Sequence, residues 1–250
     1  MKSQELSPIG FIRSPFREKF GAPRQSSMIE EAVGLLKLNP EPYFQDAVRS
    51  LENFSHVWIL FLFDRNSEGD WRPTVQLPRL EVEQRVGVFA SRSPHRPNRL
   101  GMSAVKMGSI HRDAPGGIEI ELQGLDILDG TAVVDLKPYV PYTDCIPSAR
   151  AGWTEPAISR VQVSLDAEAE VEILAAGPRN TDRFRGDPLA FVIRMLELDP
   201  RPTSQREAMP LNDPLNEGRR FACRILDLDV HWEIRSGGIR VVEVRRLPQK

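Results

Sequence analysis

The chain has 250 residues, 40% of them hydrophobic and 27% charged, which is enough for one large or two small globular domains with a real core. Its 33 basic and 35 acidic side chains give a formal net charge of −2. That balance excludes a uniformly basic nucleic-acid binder and leaves room for a local basic face.

The first 145 or so residues read as short strands broken by Pro and Gly. Ile9 to Ser14 is a strand ended by Pro15, and Pro42 to Leu51 reads as a helix that Glu52 and Asn53 close. Val57 to Phe63 is a continuous apolar run, the pattern of a strand buried on both faces. Arg85 to Ala90 follows as another strand. Ser103–His111 and Gly117–Leu125 then make a hairpin across Ala114-Pro115-Gly116-Gly117, and Thr131 to Leu136 closes the series. Such a run of strands predicts a mainly β domain, a sandwich or a barrel. Past a boundary near Trp153–Ser159, a smaller α+β domain is expected, giving domains over 1–155 and 156–250. Val161, Val163 and Leu165 alternate like a strand, and Ala169, Val171 and Ile173 continue the alternation against Glu168, Glu170 and Glu172. Asp187-Pro188 starts a helix through about Leu198 with Leu189, Val192, Ile193 and Leu196 on one face, and Asp199-Pro200-Arg201-Pro202 stops it. The end is a hairpin. Phe221, Cys223 and Ile225 lie on one phase and Leu228, Val230, Trp232 and Ile234 on the other, which places a bulge near Leu226-Asp227; Ser236-Gly237-Gly238 turns the chain into Ile239–Arg245. His56, Trp58 and Trp232 read as core.

The stretch Ser91-Arg92-Ser93-Pro94-His95-Arg96-Pro97-Asn98-Arg99-Leu100-Gly101 stands apart. It is Arg-rich and stiffened by proline, and no Asp or Glu occurs from Val86 to Arg112. Its guanidiniums are thereby left to meet an outside anion, a carboxylate or a phosphate; the plainer reading is a solvated loop. The common toolkits are missing. There is no Gly-x-Gly-x-x-Gly after a strand, no Gly-x-x-x-x-Gly-Lys-[Ser/Thr], no His-Glu-x-x-His and no Gly-x-Ser-x-Gly. Cys145 and Cys223 lie far apart without ligand spacing, and the four histidines form no cluster, so no disulfide framework and no metal are expected. The longest apolar run is too short to cross a bilayer, and no apolar segment follows the first residues, so no signal peptide and a cytoplasmic site are expected.

Three further segments accompany the Arg-rich loop: Ile9-Gly10-Phe11-Ile12-Arg13-Ser14-Pro15-Phe16 running on to Phe20-Gly21-Ala22-Pro23-Arg24-Gln25, Phe54-Ser55-His56-Val57-Trp58-Ile59-Leu60-Phe61 running to Asp64-Arg65, and Leu125-Asp126-Ile127-Leu128-Asp129-Gly130-Thr131 followed by Val134-Asp135-Leu136-Lys137-Pro138-Tyr139. Together they closely resemble the TsaA-like (TrmO) family of tRNA methyltransferases, and Asp199-Pro200-Arg201-Pro202 resembles its C-terminal signature. The resemblance implies a non-Rossmann β-barrel enzyme that uses S-adenosylmethionine to methylate N6 of threonylcarbamoyladenosine at tRNA position 37, next to the anticodon. It also implies a homodimer with the cofactor pocket near the subunit interface. Two departures stand out: Arg99 replaces the second proline of Arg-Pro-Asn-Pro-[Ile/Leu]-Gly, and Asp64-Arg65 replaces a His-Gln pair.

On this reading Arg92 or Arg96 pairs with the cofactor carboxylate, and Gln25, Ser26, Ser27, Asp64, Arg65 and Leu100 join the pocket. Leu125, Asp126, Ile127, Leu128 and Asp129 offer apolar cover for adenine and carboxylates for ribose or ammonium. Asp129 is the candidate proton acceptor, with Lys137 and Tyr142 orienting substrate. Lys19, Arg96, Arg99, Arg112, Arg219 and Arg220 are expected at phosphates, with Phe16, Phe20 or Tyr142 as a stacking platform for the extruded base. The same residues also suit plainer roles. Asp126 and Asp129 serve as turn formers, Gln25 to Ser27 as a cap, and Arg13 and Arg24 as surface charges. Rival functions are a non-catalytic module that binds S-adenosylmethionine or a nucleotide, and a structural RNA-binding dimer.

Overall fold

The computed structural model describes residues 5–18, 22–65, 69, 71–76, 84–155, 158–176 and 183–248, so the expected roles of Lys19 and Phe20 lie outside the described residues. The chain divides into two compact units, each drawn from several segments: 1–12, 36–122 and 130–157 in the first; 13–35, 123–129 and 158–250 in the second. In chain order the elements are β1 (Gly10–Arg13), β2 (Gly34–Leu38), α1 (Phe44–Ala47), β3 (His56–Leu62), β4 (Thr74–Gln76), β5 (Arg85–Gly87), β6 (Leu100–His111), β7 (Glu119–Gln123), β8 (Ala132–Pro138) and α2 (Pro141–Asp144). After them come β9 (Val163–Leu165), α3 (Ala167–Leu174), α4 (Pro188–Glu197), α5 (Thr203–Ala208), β10 (Arg220–Ile225), β11 (Leu228–Arg235) and β12 (Gly238–Arg246).

The mainly β expectation resolves into a closed barrel of order β1-β2-β7-β6-β3-β8. Its long strand β6 pairs antiparallel with β3, and β3 pairs antiparallel with β8. Val57, Ile59 and Phe61 of β3 point into the core while Trp58, Leu60 and Leu62 are only partly covered, so the apolar run is not buried on both faces as expected. Antiparallel barrel strands bury one face, and the apolar residues on the other form an unusually greasy exterior. His56 and Trp58 are accordingly half-buried, not core. Trp58 Nε1 instead donates to Asp144 Oδ2 at 2.9 Å.

Three local readings change. The helix over 42–51 shrinks to α1 and a separate 3-10 turn at Leu51–Asn53, because Ser50 takes a left-handed φ of 65° that an α-helix cannot contain. The strand expected over 85–90 stops at Gly87; it pairs with β4 in its own two-stranded sheet, and Val88–Ala90 curl into a 3-10 turn. β2 carried no alternation to mark it, since Leu35, Leu36 and Leu38 are all buried.

The second unit carries a four-stranded sheet of order β10-β11-β12-β9, in which β9 runs parallel to β12. The alternation over 168–173 belongs to a helix, α3, that packs on β12 and buries Ala169 and Ile173. Asp187 caps α4 as its Oδ1 accepts from the amides of Leu189 and Ala190, with Pro188 at the first helical position. The buried face of α4 is Phe191, Val192, Met195 and Leu196: Val192 and Leu196 are buried as expected, while Leu189 and Ile193 are half-buried and Phe191 and Met195 complete the face instead. Leu226 at φ 58° opens a tight two-residue turn between Ile225 and Leu228, and the bulge lies further on, between His231 and Trp232. Trp232 is core, 1% exposed and stacked on Phe221 at 4.7 Å.

Candidate functional site

In the first unit, β3 and β6 pair so that Leu62 stands opposite Leu100, and the amide of Phe63 donates to the carbonyl of Arg99 at 2.8 Å. That pairing sets exposed Asp64 and Arg65 beside the Arg-rich loop that leads into β6. Five expected pocket residues (Asp64, Arg65, Arg92, Arg96 and Leu100) thus gather at one end of the barrel. The loop is held by its own polar groups. Ser91 Oγ donates to the Val88 carbonyl at 2.8 Å, and Ser91 and Ser93 hydroxyls accept from the amides of Ser93 and His95. The Arg72 amide ties the loop from outside by donating to the His95 carbonyl.

The sequence pictured the loop's guanidiniums as uncommitted, and Arg96 corrects this: its Nη2 donates to the carbonyls of Ser91 at 2.9 Å and Val88 at 3.2 Å. A loop whose carbonyls turn inward needs a donor to satisfy them, and a guanidinium has five. Arg96 Nε and His95 Nδ1, by contrast, are buried with no hydrogen-bond partner. Buried polar atoms are nearly always paired, so two such atoms on adjacent residues are hydrogen-bonding capacity that the loop itself leaves unused. Arg92 is the loop's exposed arginine within this span.

In the second unit, two expected cofactor segments are brought together. The Ser27 amide donates to the Gly124 carbonyl at 2.8 Å and the Leu125 amide to the Ala32 carbonyl at 3.1 Å. Ser27 sits at φ 61° and Gly124 at φ 72°, and a Cβ on Gly124 would stand 3.0 Å from the Ser27 Cα, so the close approach needs glycine. Gln25 Nε2 donates to the Arg24 carbonyl, so Gln25 to Ser27 turn the chain without capping a helix. Leu125 and Ile127 are core, 0% and 2% exposed, so their side chains do not give a ligand the apolar cover expected of them. Asp126 and Leu128 are half-buried.

Asp129 is a held carboxylate. Its Oδ1 accepts from the Ser14 amide at 3.1 Å and its Oδ2 from Arg183 Nε at 3.0 Å. Its own amide donates to the Phe16 carbonyl, and Ser14 Oγ donates to the Ile127 carbonyl at 2.7 Å. Arg183 was absent from the sequence reading, for it lies in no motif and 54 residues from its partner. Lys137 pairs with Asp135 at 2.8 Å on the outer part of β8. Tyr142 rides on α2 and is 91% exposed. The turn beneath it is fastened by Asp144, whose Oδ2 accepts from both Trp58 and the Val140 amide; the Val140 bond first, then Trp58, lowers the Asp144 pKa.

Family models match the chain in both halves, the tRNA-methyltransferase O N-terminal domain over residues 11–145 and the TrmO C-terminal domain over 158–247. The chain belongs to the TrmO family. Among relatives, the tRNA (adenine(37)-N6)-methyltransferase of Escherichia coli K12 is 40% identical over 245 residues, covering 96% of this chain and 97% of its own length. RcsF of Pseudomonas aeruginosa, named for S-adenosylmethionine-dependent methyl transfer, is 39% identical over 244 residues, covering 97% of this chain and 98% of its own. A crystal structure of TrmO from Pseudomonas aeruginosa superposes with a TM-score of 0.75 at 35% identity, covering 98% of each chain.

Within the TrmO pattern, the second proline of the loop is replaced by Arg99, whose φ of 22° is a value the proline ring cannot adopt. The loop therefore ends in a shape specific to a non-proline residue. Of the residues expected at phosphates, Arg112 is spent internally: it pairs with Glu52 at 3.1 Å and donates to the carbonyls of Gln45 and Val48. Arg219 is exposed, and Arg220 is largely exposed with Glu233 at 3.6 Å. Arg13 and Arg24 are exposed. Phe16 is core, 4% exposed and 5.8 Å from the Phe191 ring, and so is no stacking platform. Among the described residues no group of His, Cys, Asp and Glu could hold a metal, and no helix is long and apolar enough to cross a membrane.

Proposed function

We propose that this chain is an S-adenosylmethionine-dependent tRNA methyltransferase acting on N6 of adenosine 37. The observation that carries the reading is the match to both TrmO domains, together with 40% identity over nearly the whole length of an enzyme named for that reaction. The two orphaned atoms, His95 Nδ1 and Arg96 Nε, supply an independent fit to a polar ligand at the Arg-rich loop.

When bound, the cofactor supplies a methyl group already activated on a sulfonium. The residues then have to bind, align and keep water out. Of the two arginines expected at the cofactor carboxylate, exposed Arg92 meets it while Arg96 braces the loop, with Asp64, Arg65 and Leu100 on the same barrel end. Within the second unit, Gln25 to Ser27 and the Leu125–Asp129 segment, tied to each other by the Ser27–Gly124 bond, offer polar side chains to the adenosyl part of the cofactor. Asp129 accepts the proton that the exocyclic nitrogen must lose, and Lys137 and Tyr142 orient the substrate. Threonylcarbamoyladenosine in the anticodon loop is the substrate base, reached in a single-stranded loop where an exposed aromatic such as Tyr142 finds a base face. The protein works as a homodimer in the cytoplasm. Support for the dimer is the apolar exterior where Leu60 faces Met102 and Leu62 faces Leu100, with Met102 49% and Leu100 37% exposed.

The test mixes the purified chain with methyl-labelled S-adenosylmethionine and tRNA with or without the threonylcarbamoyl mark. Label is expected in the marked tRNA alone, at adenosine 37. Cofactor binding by calorimetry without transfer to any tRNA would overturn the reading in favour of a regulatory binding module.

A further inference from the structure

Among the described residues, the Asp129 carboxylate accepts from donors in distant parts of the second unit, the Ser14 amide on one oxygen and the Arg183 guanidinium on the other. Two donors on the two oxygens fix the plane of a carboxylate as well as its place, which one donor does not do. Arg183 is itself aimed by its neighbours. The next residue, Phe184, is 1% exposed and lies 5.0 Å from the Phe191 ring, which in turn lies 5.8 Å from Phe16. Beyond it, the Arg185 amide donates to the Val33 carbonyl at 3.1 Å, and Gly186 packs so closely on the Glu31 carbonyl that a Cβ would not fit. The backbone that carries Arg183 is therefore anchored on its C-terminal side by an aromatic contact and a backbone bond. Both side chains of the pair are largely covered, 32% and 16% exposed, so solvent screens the pair less than it would a surface bridge.

We infer that Arg183 is a positioning residue for methyl transfer: the C-terminal segment, through this guanidinium, sets the orientation in which Asp129 meets the substrate nitrogen. The inference rests on the role given to Asp129 under the proposed function. It assigns the C-terminal domain a part in the chemistry beyond holding RNA.

The test is a double-mutant cycle on the full chain with marked tRNA: Asp129→Asn, Arg183→Gln, both together, and Arg183→Lys. Arg183→Gln is expected to lower kcat at least tenfold with the KM for tRNA and cofactor affinity changed less than threefold. The double variant should be no slower than Asp129→Asn alone, since each change disables the same group, and Arg183→Lys should recover at least half of the lost rate. A merely structural Arg183 would lower the melting temperature and give losses that multiply in the double variant; that outcome, or an unchanged kcat in Arg183→Gln, overturns the inference. Normal turnover in Asp129→Asn would instead overturn the role of Asp129 itself. Slow Asp129→Asn beside normal Arg183→Gln leaves that role standing and removes only Arg183.

Discussion

Arg201 shows how differently a motif and its purpose are written. Asp199-Pro200-Arg201-Pro202 is conspicuous in the sequence as a helix stop and as a family signature. Its physical job appears only in the folded unit. Asp199 takes a left-handed φ of 48° just past α4 and presents its carboxylate to Arg201, which donates to both oxygens at 2.8 and 2.7 Å. The same guanidinium donates to the Met209 carbonyl and lies 5.2 Å from the Phe221 ring centroid and 5.9 Å from that of Trp232. Its side chain is 3% exposed, so the charge is matched by a bidentate partner and two aromatic faces instead of water. Arg201→Ala would leave Asp199 covered and unmatched, and is expected to cost about 3 to 5 kcal/mol in urea unfolding. A loss below about 1 kcal/mol would show that the motif does not hold the second unit together. Cys223, half-buried on β10, has its thiol pushed by burial up to about 12, so it stays protonated at neutral pH.

Among the elements, α4 was the most legible. Asp187-Pro188 marks its start, the apolar spacing its body and Asp199-Pro200 its end, and all of these are local signals. Asp187→Ala should weaken the second unit by about 1 kcal/mol, read as a lower urea midpoint with an unchanged slope, because the amides of Leu189 and Ala190 lose their acceptor. An unmoved midpoint would mean that packing of Phe191, Val192, Met195 and Leu196 holds the helix start without its cap. α3 was misread for a concrete reason. Glu168, Glu170 and Glu172 alternate with Ala169, Val171 and Ile173, a strand-like pattern, yet the covered residues Ala169 and Ile173 are spaced by four and lie on one helical face. β2 escaped notice for the opposite reason, since three of its leucines are buried and nothing alternates. The strand β3 is legible in the sequence but its exterior is not, because a continuous apolar run looks the same whether its second face is covered or left half-open.

For the whole molecule, a net charge of −2 must coexist with a task at an RNA backbone. Any basic face is therefore local, and Arg112 is removed from it by its bonds to Glu52, Gln45 and Val48. Arg96 is drawn off as well by the Val88 and Ser91 carbonyls, and with about four of the six expected phosphate contacts left, affinity for an anticodon stem-loop should fall roughly 50- to 150-fold between 50 and 200 mM salt, measured by fluorescence anisotropy. A response under about threefold would place the RNA on a surface without arginine or lysine contacts. The sequence by itself determined the β-rich first part, the α+β end, the Arg-rich loop, the family and hence the chemistry, because turn residues, caps and motif spacing are properties of neighbouring positions. Tertiary structure alone decided that segments 13–35 and 123–129 belong with the C-terminal unit, that Arg96 is partly consumed by its own loop, and that Arg183 reaches Asp129. Those outcomes depend on which distant carbonyls and carboxylates are left for a guanidinium to satisfy once the backbone has closed, and no local pattern encodes them.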